Sequence, residues 1–322
     1  MIIHNILYKL LIIYLVIQAI LIIYYTIHFI NKHFLIKEID YQKRYGENTW
    51  VLITGCSSGQ GKLLAIEFAK RNFNIILAGN KKIKNTEKII NENYNVETKS
   101  IIVDFSNAYK PNFFDPFIKA LDSIPNKLSI LVNNIGHRVA WNPYHEMPSK
   151  TINDSIVCGT IVQAQLTKIA LGHFIKRQIR YKSAIINITS MCTYSNIWFG
   201  LSGDICVPYM SVYEGANAFG FFHSNSIQKE YGDTIDVLNV TPGAVITENT
   251  TFLKNTPFCI KSEIFVKNIL KLLGNYNGPQ FAYWGHDLSS ILSNFINNFK
   301  NNILKDTGDT ISRNFMQFYY NS

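Results

Sequence analysis

The chain has 322 residues, with 31 Lys and Arg against 22 Asp and Glu for a formal net charge of +9, and 47% of its positions are apolar. This suits one globular domain of about 250 to 300 residues with something added, and it excludes a disordered chain, a collagen-like repeat and a disulfide-stapled miniprotein. The five cysteines, Cys56, Cys158, Cys192, Cys206 and Cys259, are odd in number and show no CxxC or Cys/His ligand spacing, so free thiols in a reducing compartment and no metal site are expected. Asn-x-Ser/Thr triplets at Asn153, Asn187, Asn239 and Asn249 carry little weight in a chain so rich in Asn, and Asn187 falls in a core strand.

From the amino end, Leu10 to Ile27 carry no charge, and the apolar character extends from Ile6 to Ile30. About 20 helical residues at 1.5 Å each cross a hydrocarbon core of roughly 30 Å, so residues 1–31 read as a transmembrane anchor. A cleaved signal peptide, the alternative, has a shorter apolar region followed by a small-x-small site, and none is visible. Lys9 and His4 precede the span, whereas Lys32, Lys37, Lys43 and Arg44 follow it closely. The positive-inside tendency therefore puts the body in the cytosol on a single-pass anchor, with Tyr14, Tyr24 and Tyr25 at the interfaces. The net positive charge then reflects a surface facing the lipid bilayer. With no basic helix or aromatic-interleaved patch, no nucleic-acid partner is expected.

A polar linker, residues 32–48, leads into short apolar runs that alternate with longer helical patterns over residues 49–288. The fold class is α/β, a Rossmann-type doubly wound parallel sheet. Strands are expected at Trp50 to Thr54, Ile75 to Ala78, Ser100 to Val103, Ile130 to Val132, Ala184 to Ile188, Val237 to Val240 and Phe281 to Tyr283. Helices are expected near Lys62 to Arg71, Thr86 to Asn93, Phe113 to Leu121, Thr151 to Arg177, Tyr213 to Tyr231 and Ser262 to Leu273. There is no internal repeat and no second core. In residues 289–322, Ile291, Leu292, Phe295, Ile296, Phe299, Ile303 and Leu304 share one helical face. They read either as a helix packed on the domain or as one lying in the membrane plane.

Directly after the first strand comes Thr54-Gly55-Cys56-Ser57-Ser58-Gly59-Gln60-Gly61, then a helix. Such glycines let the backbone turn tightly and approach a pyrophosphate, whose charge is met by free amides and the positive helix end. A strand-to-helix turn needs glycine anyway, so the cluster gains meaning from its place in the first crossover.

The TGxxxGxG pattern resembles the cofactor loop of the short-chain dehydrogenase/reductase family, and further residues resemble that family in order. Asp104, in Val103-Asp104-Phe105, looks like the residue that contacts adenine, and Asn133-Asn134-Ile135-Gly136 like the turn that supports the sheet and borders the cofactor. Ser190 matches the catalytic serine and Tyr213 the catalytic tyrosine. Pro242-Gly243 and Thr247 look like the segment that closes over the nicotinamide. The resemblance therefore implies cofactor contacts at Thr54, Gly55, Ser57, Ser58, Gly59, Gly61, Asn80, Lys81, Asp104, Asn133, Gly136, Pro242, Gly243 and Thr247. Within the family, the amino-terminal span, Tyr45 to Trp50 and Val207 to Tyr213 resemble the membrane-anchored very-long-chain 3-oxoacyl-CoA reductase and 17-beta-hydroxysteroid dehydrogenase branch. The likeness covers about residues 45–290. At the end of the second strand, Ala78-Gly79-Asn80-Lys81-Lys82 offers two cations and no carboxylate, which suits the 2′-phosphate of NADP(H), although a solvated turn in a lysine-rich chain reads the same way.

The pattern breaks at the tyrosine. In the family a lysine four residues later holds the nicotinamide ribose and lowers the tyrosine pKa, but here Asn217 stands in that place. The family's catalytic asparagine aligns with Gly159, and Asn153 lies more than a turn earlier. Met191 to Cys206 contains an insertion relative to the family, with Trp198 and Phe199 as acyl contacts or lid packing, or else forming a surface loop. Two expectations follow. One is an NADPH-dependent reductase of a long-chain 3-oxoacyl-CoA or a steroid ketone, in the endoplasmic reticulum membrane and associated with other elongation enzymes. The other is a catalytically impaired pseudoenzyme serving as a membrane scaffold in lipid metabolism.

Overall fold

The computed structural model describes residues 2–136, 142–177, 181–193, 209–248, 250 and 253–292. Nine strands occur among them: β1 (Trp50–Thr54), β2 (Asn74–Gly79), β3 (Thr98–Ile102), β4 (Leu128–Asn133), β5 (Ser183–Ile188), β6 (Ile235–Val240), β7 (Ala244–Ile246), β8 (Cys259–Lys261) and β9 (Gly278–Gln280). Seven form one parallel sheet in the order β3-β2-β1-β4-β5-β6-β9, and β7 pairs with β8 in a small sheet of its own.

Continuous apolar runs make these strands because both faces of the large sheet are covered. Alternate side chains enter two separate cores. Val51, Ile53, Ile75, Leu77, Ile130, Val132, Ala184, Ile186, Leu238 and Val240 fill one, while Trp50, Leu52, Ile76, Ala78, Leu131, Ile185 and Val237 fill the other. The helices are α1 (Ile2–Ile30), α2 (Tyr41–Tyr45), α3 (Gly59–Ala69), α4 (Ile83–Asn93), α5 (Asp115–Asp122), α6 (Ser149–Ile156), α7 (Val162–Phe174), α8 (Ser211–Tyr231) and α9 (Ser262–Leu272), and residues 284–292 are also helical. Leu64 and Phe68 of α3 and Phe265 and Ile269 of α9 cover the first core. Phe117 of α5 and Leu166 and Phe174 of α7 cover the second.

Strand order reverses between β1 and β4, so the crevice of such a sheet opens at the carboxyl ends of these two strands. The glycine loop after β1, Asn134–Gly136 after β4, Ser190 after β5 and Pro242–Gly243 after β6 all fall on that edge.

The helix α1 differs in kind from the rest. Leu7, Tyr8, Leu10, Leu11, Ile13 and Leu15 are all more than half exposed, so these apolar side chains find little cover among the described residues. Its 29 residues span about 43 Å. The stretch Ser149–Phe174 is also long and apolar, but half of it is buried as a core helix.

Several local expectations are corrected. The last strand is Gly278–Gln280, not Phe281 to Tyr283, whose Phe281 and Ala282 are buried just beyond it. The long helix expected from Thr151 to Arg177 is α6 and α7 joined by a π-helical turn, Val157–Ile161, and α7 ends at Phe174. The polar linker around Asp40 to Asn48 carries α2, which buries Tyr41 and Tyr45 against the core. The Tyr41 hydroxyl donates to the carbonyl of Leu270. The Tyr45 hydroxyl donates to Asp236 at 2.9 Å, and Arg44 forks onto the same buried carboxylate at 2.6 and 2.9 Å. Of the helical face expected near the carboxyl end, only Ile291 and Leu292 lie within the described residues.

Candidate active site

Two glycines of the loop need their residue type for backbone reasons, since Gly55 has φ 69° and Gly59 φ 57°. Gly61 needs its type for space: a Cβ there would stand 2.5 Å from both the Gly55 carbonyl oxygen and Asn134 Nδ2. The loop is therefore clamped between α3 and the β4 turn. Thr54 ties the knot, for its hydroxyl donates to the Val132 carbonyl at 3.2 Å and accepts from the amides of Asn134 at 2.9 Å and Ile135 at 3.1 Å. Asn134 Nδ2 donates to the Thr54 carbonyl at 3.0 Å. Thr54 and Asn134 thus build the loop from beneath.

The amino end of α3 begins at Gly59 after Ser58, whose side chain makes no capping bond. The first turn thus has no side-chain cap from Ser58, and a helix start of this kind is the arrangement that accepts a phosphate. Thr247 closes the other side. A Cβ on Gly59 would lie 3.5 Å from Thr247 Cγ2, and Lys62 Nζ reaches Glu248 at 3.4 Å. These features fit a dinucleotide: glycines at left-handed φ, an uncapped helix start and a facing hydroxyl-bearing segment.

The other expected positions divide. Asn80, Lys81 and Lys82 are exposed at the end of β2, and Asn80 Oδ1 accepts from the Lys82 amide at 3.0 Å. Asp104 is exposed after β3, with Oδ1 accepting from the Ser106 amide at 3.1 Å. Gly136 is exposed at the end of the β4 turn, and Ser57 is half-buried. Asn133 is turned inward, in keeping with a turn that supports the sheet. It is buried, and its Nδ2 donates to Asn187 at 2.8 Å and Thr167 at 3.2 Å, so it binds β4 to β5 and α7.

Ser190, just beyond β5, is buried, and Tyr213, in the first turn of α8, is half-buried. Burial raises the Tyr213 pKa above its usual value, opposed by hydrogen bonds to the side chains of Ser190 and Asn217. Cys192 and Glu214 raise it further. Asn217 Nδ2 also donates to the Tyr213 carbonyl at 2.9 Å, so the residue in the lysine's place serves the helix backbone. The sheet edge and α8 thus bring Tyr213, Ser190 and Asn217 together.

Gly159 sits in the π-helical turn, where a Cβ would stand 2.8 Å from the Ala216 Cβ. Ala216 fills the space that a side chain at 159 would need. Trp198 and Phe199 lie outside the described residues, as does most of the insertion.

A family profile described as short chain dehydrogenase matches residues 49–257. The chain is a short-chain dehydrogenase, an oxidoreductase. It is 32% identical over 237 residues to the very-long-chain 3-oxoacyl-CoA reductase of Rattus norvegicus, covering 72% of this chain and 70% of that protein. It is 27% identical over 290 residues to hydroxysteroid dehydrogenase-like protein 1 of Gallus gallus, covering 87% and 82%. The fold of this short-chain dehydrogenase is shared with a 7beta-hydroxysteroid dehydrogenase at TM-score 0.65 and 21% identity, over 79% of this chain and 93% of that one. It is shared also with a short-chain dehydrogenase from Sphingobium yanoikuyae in complex with NADPH, at TM-score 0.58 and 21% identity, over 77% and 95%.

Sequence reasoning missed three things in this site. Asn134 is the wedge of the glycine loop, Cys192 neighbours the tyrosine, and the small β7–β8 sheet carries the closing segment. The doubled Asn after β4 was the signal for the first. The others had none, because strands of three residues and a lone Cys leave no pattern.

Proposed function

We propose that this chain is an NADPH-dependent reductase of a long-chain 3-oxoacyl-CoA, held in the endoplasmic reticulum membrane by α1 with its catalytic domain in the cytosol. The observation that carries the reading is the Tyr213–Ser190 hydrogen bond on the crevice edge that the glycine loop also borders. The names of the relatives support the substrate class.

NADPH, when bound, would supply a hydride to the substrate ketone carbon. Gly55, Gly59 and Gly61 allow the backbone to approach the pyrophosphate, with the α3 amides facing it. Lys81 offers its charge to a 2′-phosphate. Ser190 aligns the ketone oxygen, and Tyr213 donates the proton that the oxygen gains. A tyrosine whose pKa is held high starts fully protonated, so it is ready as a donor at neutral pH. It parts with the proton less readily than one beside a cation, within a class of help worth about 10² to 10⁴ in rate. As a base for alcohol oxidation it is poorly placed, because only the rare phenolate can act.

Membrane attachment draws its support from the exposed apolar length of α1. Topology rests on the cations after the span, of which Lys37 and Lys43 are exposed while Lys32 and Arg44 are engaged in ion pairs. Acyl-CoA and the bilayer are the proposed partners, and contact with other elongation enzymes follows from the same reading.

The second reading, a scaffold without turnover, is favoured by Ala216 occupying the space beside Gly159 together with Asn217 in the lysine's place. The test is NADPH oxidation by membrane-reconstituted chain with a long 3-oxoacyl-CoA. Turnover that Tyr213→Phe abolishes is expected for the reductase. Turnover no greater than that of Tyr213→Phe supports the scaffold.

A further inference from the structure

Beyond the sheet, two consecutive residues in the helical segment 284–292 make unusual bonds in opposite directions. His286 is fully buried. Its Nε2 lies 3.1 Å from the Ala244 carbonyl, and since a carbonyl only accepts, Nε2 carries the proton. Nδ1 is then a bare acceptor, buried and without a partner among the described residues. Burial lowers the ring's pKa to about 4, the Ala244 bond opposing the fall, so the neutral tautomer holds at physiological pH. The ring lies on the closing segment itself: a Cβ on Gly243 would stand 2.8 Å from His286 Cδ2 and 2.8 Å from Met191 Sδ. Met191 follows Ser190, and its amide donates to the Pro242 carbonyl at 2.9 Å. Phe265 and Tyr283 hold the ring from its other sides, at 5.6 and 5.2 Å between centroids.

Asp287, next in the chain and also buried, looks the other way. Its Oδ2 accepts from Lys32 Nζ at 2.5 Å and His33 Nε2 at 2.9 Å, at the base of the apolar helix α1. Burial alone would raise its carboxyl pKa, but His33 and Lys32 outweigh that and hold it ionised. A purely space-filling role at 286 is better served by Phe or Leu, because an unpartnered buried nitrogen is a cost. The bond to Ala244 is what the imidazole adds.

We propose that His286 is a positioning residue for the segment Pro242–Thr247 that closes over the nucleotide, and that Asp287 sets its place by fastening to Lys32 and His33, so the base of the anchor is part of the active-site frame. This rests on the proposed NADPH site only for its consequence in binding, and not for the mechanical link.

Hydrogen–deuterium exchange of the full-length chain in nanodiscs tests it. With His286→Phe, the amides of Val245 and Ile246 are expected to exchange about five- to tenfold faster while those of β1 and β4 stay at the wild-type rate. His286→Gln, which keeps a donor of similar reach, restores slow exchange. Lys32→Met, remote from the ring, gives a change in the same direction at Val245 and Ile246, and weakens NADPH binding in parallel. Exchange unchanged in His286→Phe, or in Lys32→Met should the ring variant not fold, overturns the proposal, as does His286→Gln behaving like His286→Phe. A wild-type chain that binds no NADPH while showing the expected exchange pattern defeats the nucleotide assignment and leaves the mechanical link standing.

Discussion

At Tyr213 the environment decides which direction of the chemistry is open. Burial keeps the hydroxyl protonated beyond its usual range, and Asn217 stands where a lysine would lower its pKa. Ketone reduction should therefore hold level across neutral pH and decline only as the solution becomes alkaline enough to ionise Tyr213. Alcohol oxidation should climb with pH over the same alkaline range. Asn217→Lys places a cation one turn from the phenol, so its pKa falls and both profiles shift to lower pH. The oxidation rate at neutral pH should rise by about 10² or more, read from initial rates over a pH series. Gly159→Asn tests the other departure. Its Cβ would meet the Ala216 Cβ at 2.8 Å, so the single substitution should cost about 1 to 3 kcal/mol by denaturant unfolding, and Ala216→Gly in the same chain should return most of it. Tyr213, Ser190 and the glycines were legible because their types and order carry the chemistry. Which of the two adjacent Asn residues faces the sheet and which faces the glycine loop was not legible, because they differ only in the way the chain turns them.

The strands and helices were read well where a long apolar run or a helical period exists. All six strands from β1 to β6 are where the pattern put them, and only their ends moved. The errors cluster where elements are too short to show a period. The edge strand β9 is Gly-Pro-Gln, held by register with β6 and lacking any apolar run. Helix α2 has five residues, and its two tyrosines matter only because the fold brings Leu270 and Asp236 to them. That last cluster has an energetic asymmetry. Asp236 is fully buried, whereas Arg44 and Lys182 are about one-third exposed. Removing the arginine leaves a buried carboxylate with Tyr45 and Lys182, while removing the acid leaves cations that reach water. Arg44→Met should accordingly destabilise by up to about 3 kcal/mol, and more than Asp236→Leu does, in urea unfolding.

On the scale of the molecule, a covered Rossmann body carries an uncovered apolar helix. A helix of this length and apolarity is a candidate membrane span, and Asp287 joins its base to the body. The full-length chain should stay in the membrane pellet through alkaline carbonate extraction, and a chain found in the supernatant would count against the anchor. The central claim is that the crevice at the carboxyl ends of β1 and β4 takes NADPH. Fluorescence titration of NADPH into the reconstituted chain tests it most directly. Saturable enhancement is predicted, lost in Gly61→Val, whose side chain would fill the space of the Gly55 carbonyl, and weakened in Lys81→Glu. Emission that never changes, or that saturates alike in wild type and Gly61→Val, would contradict it.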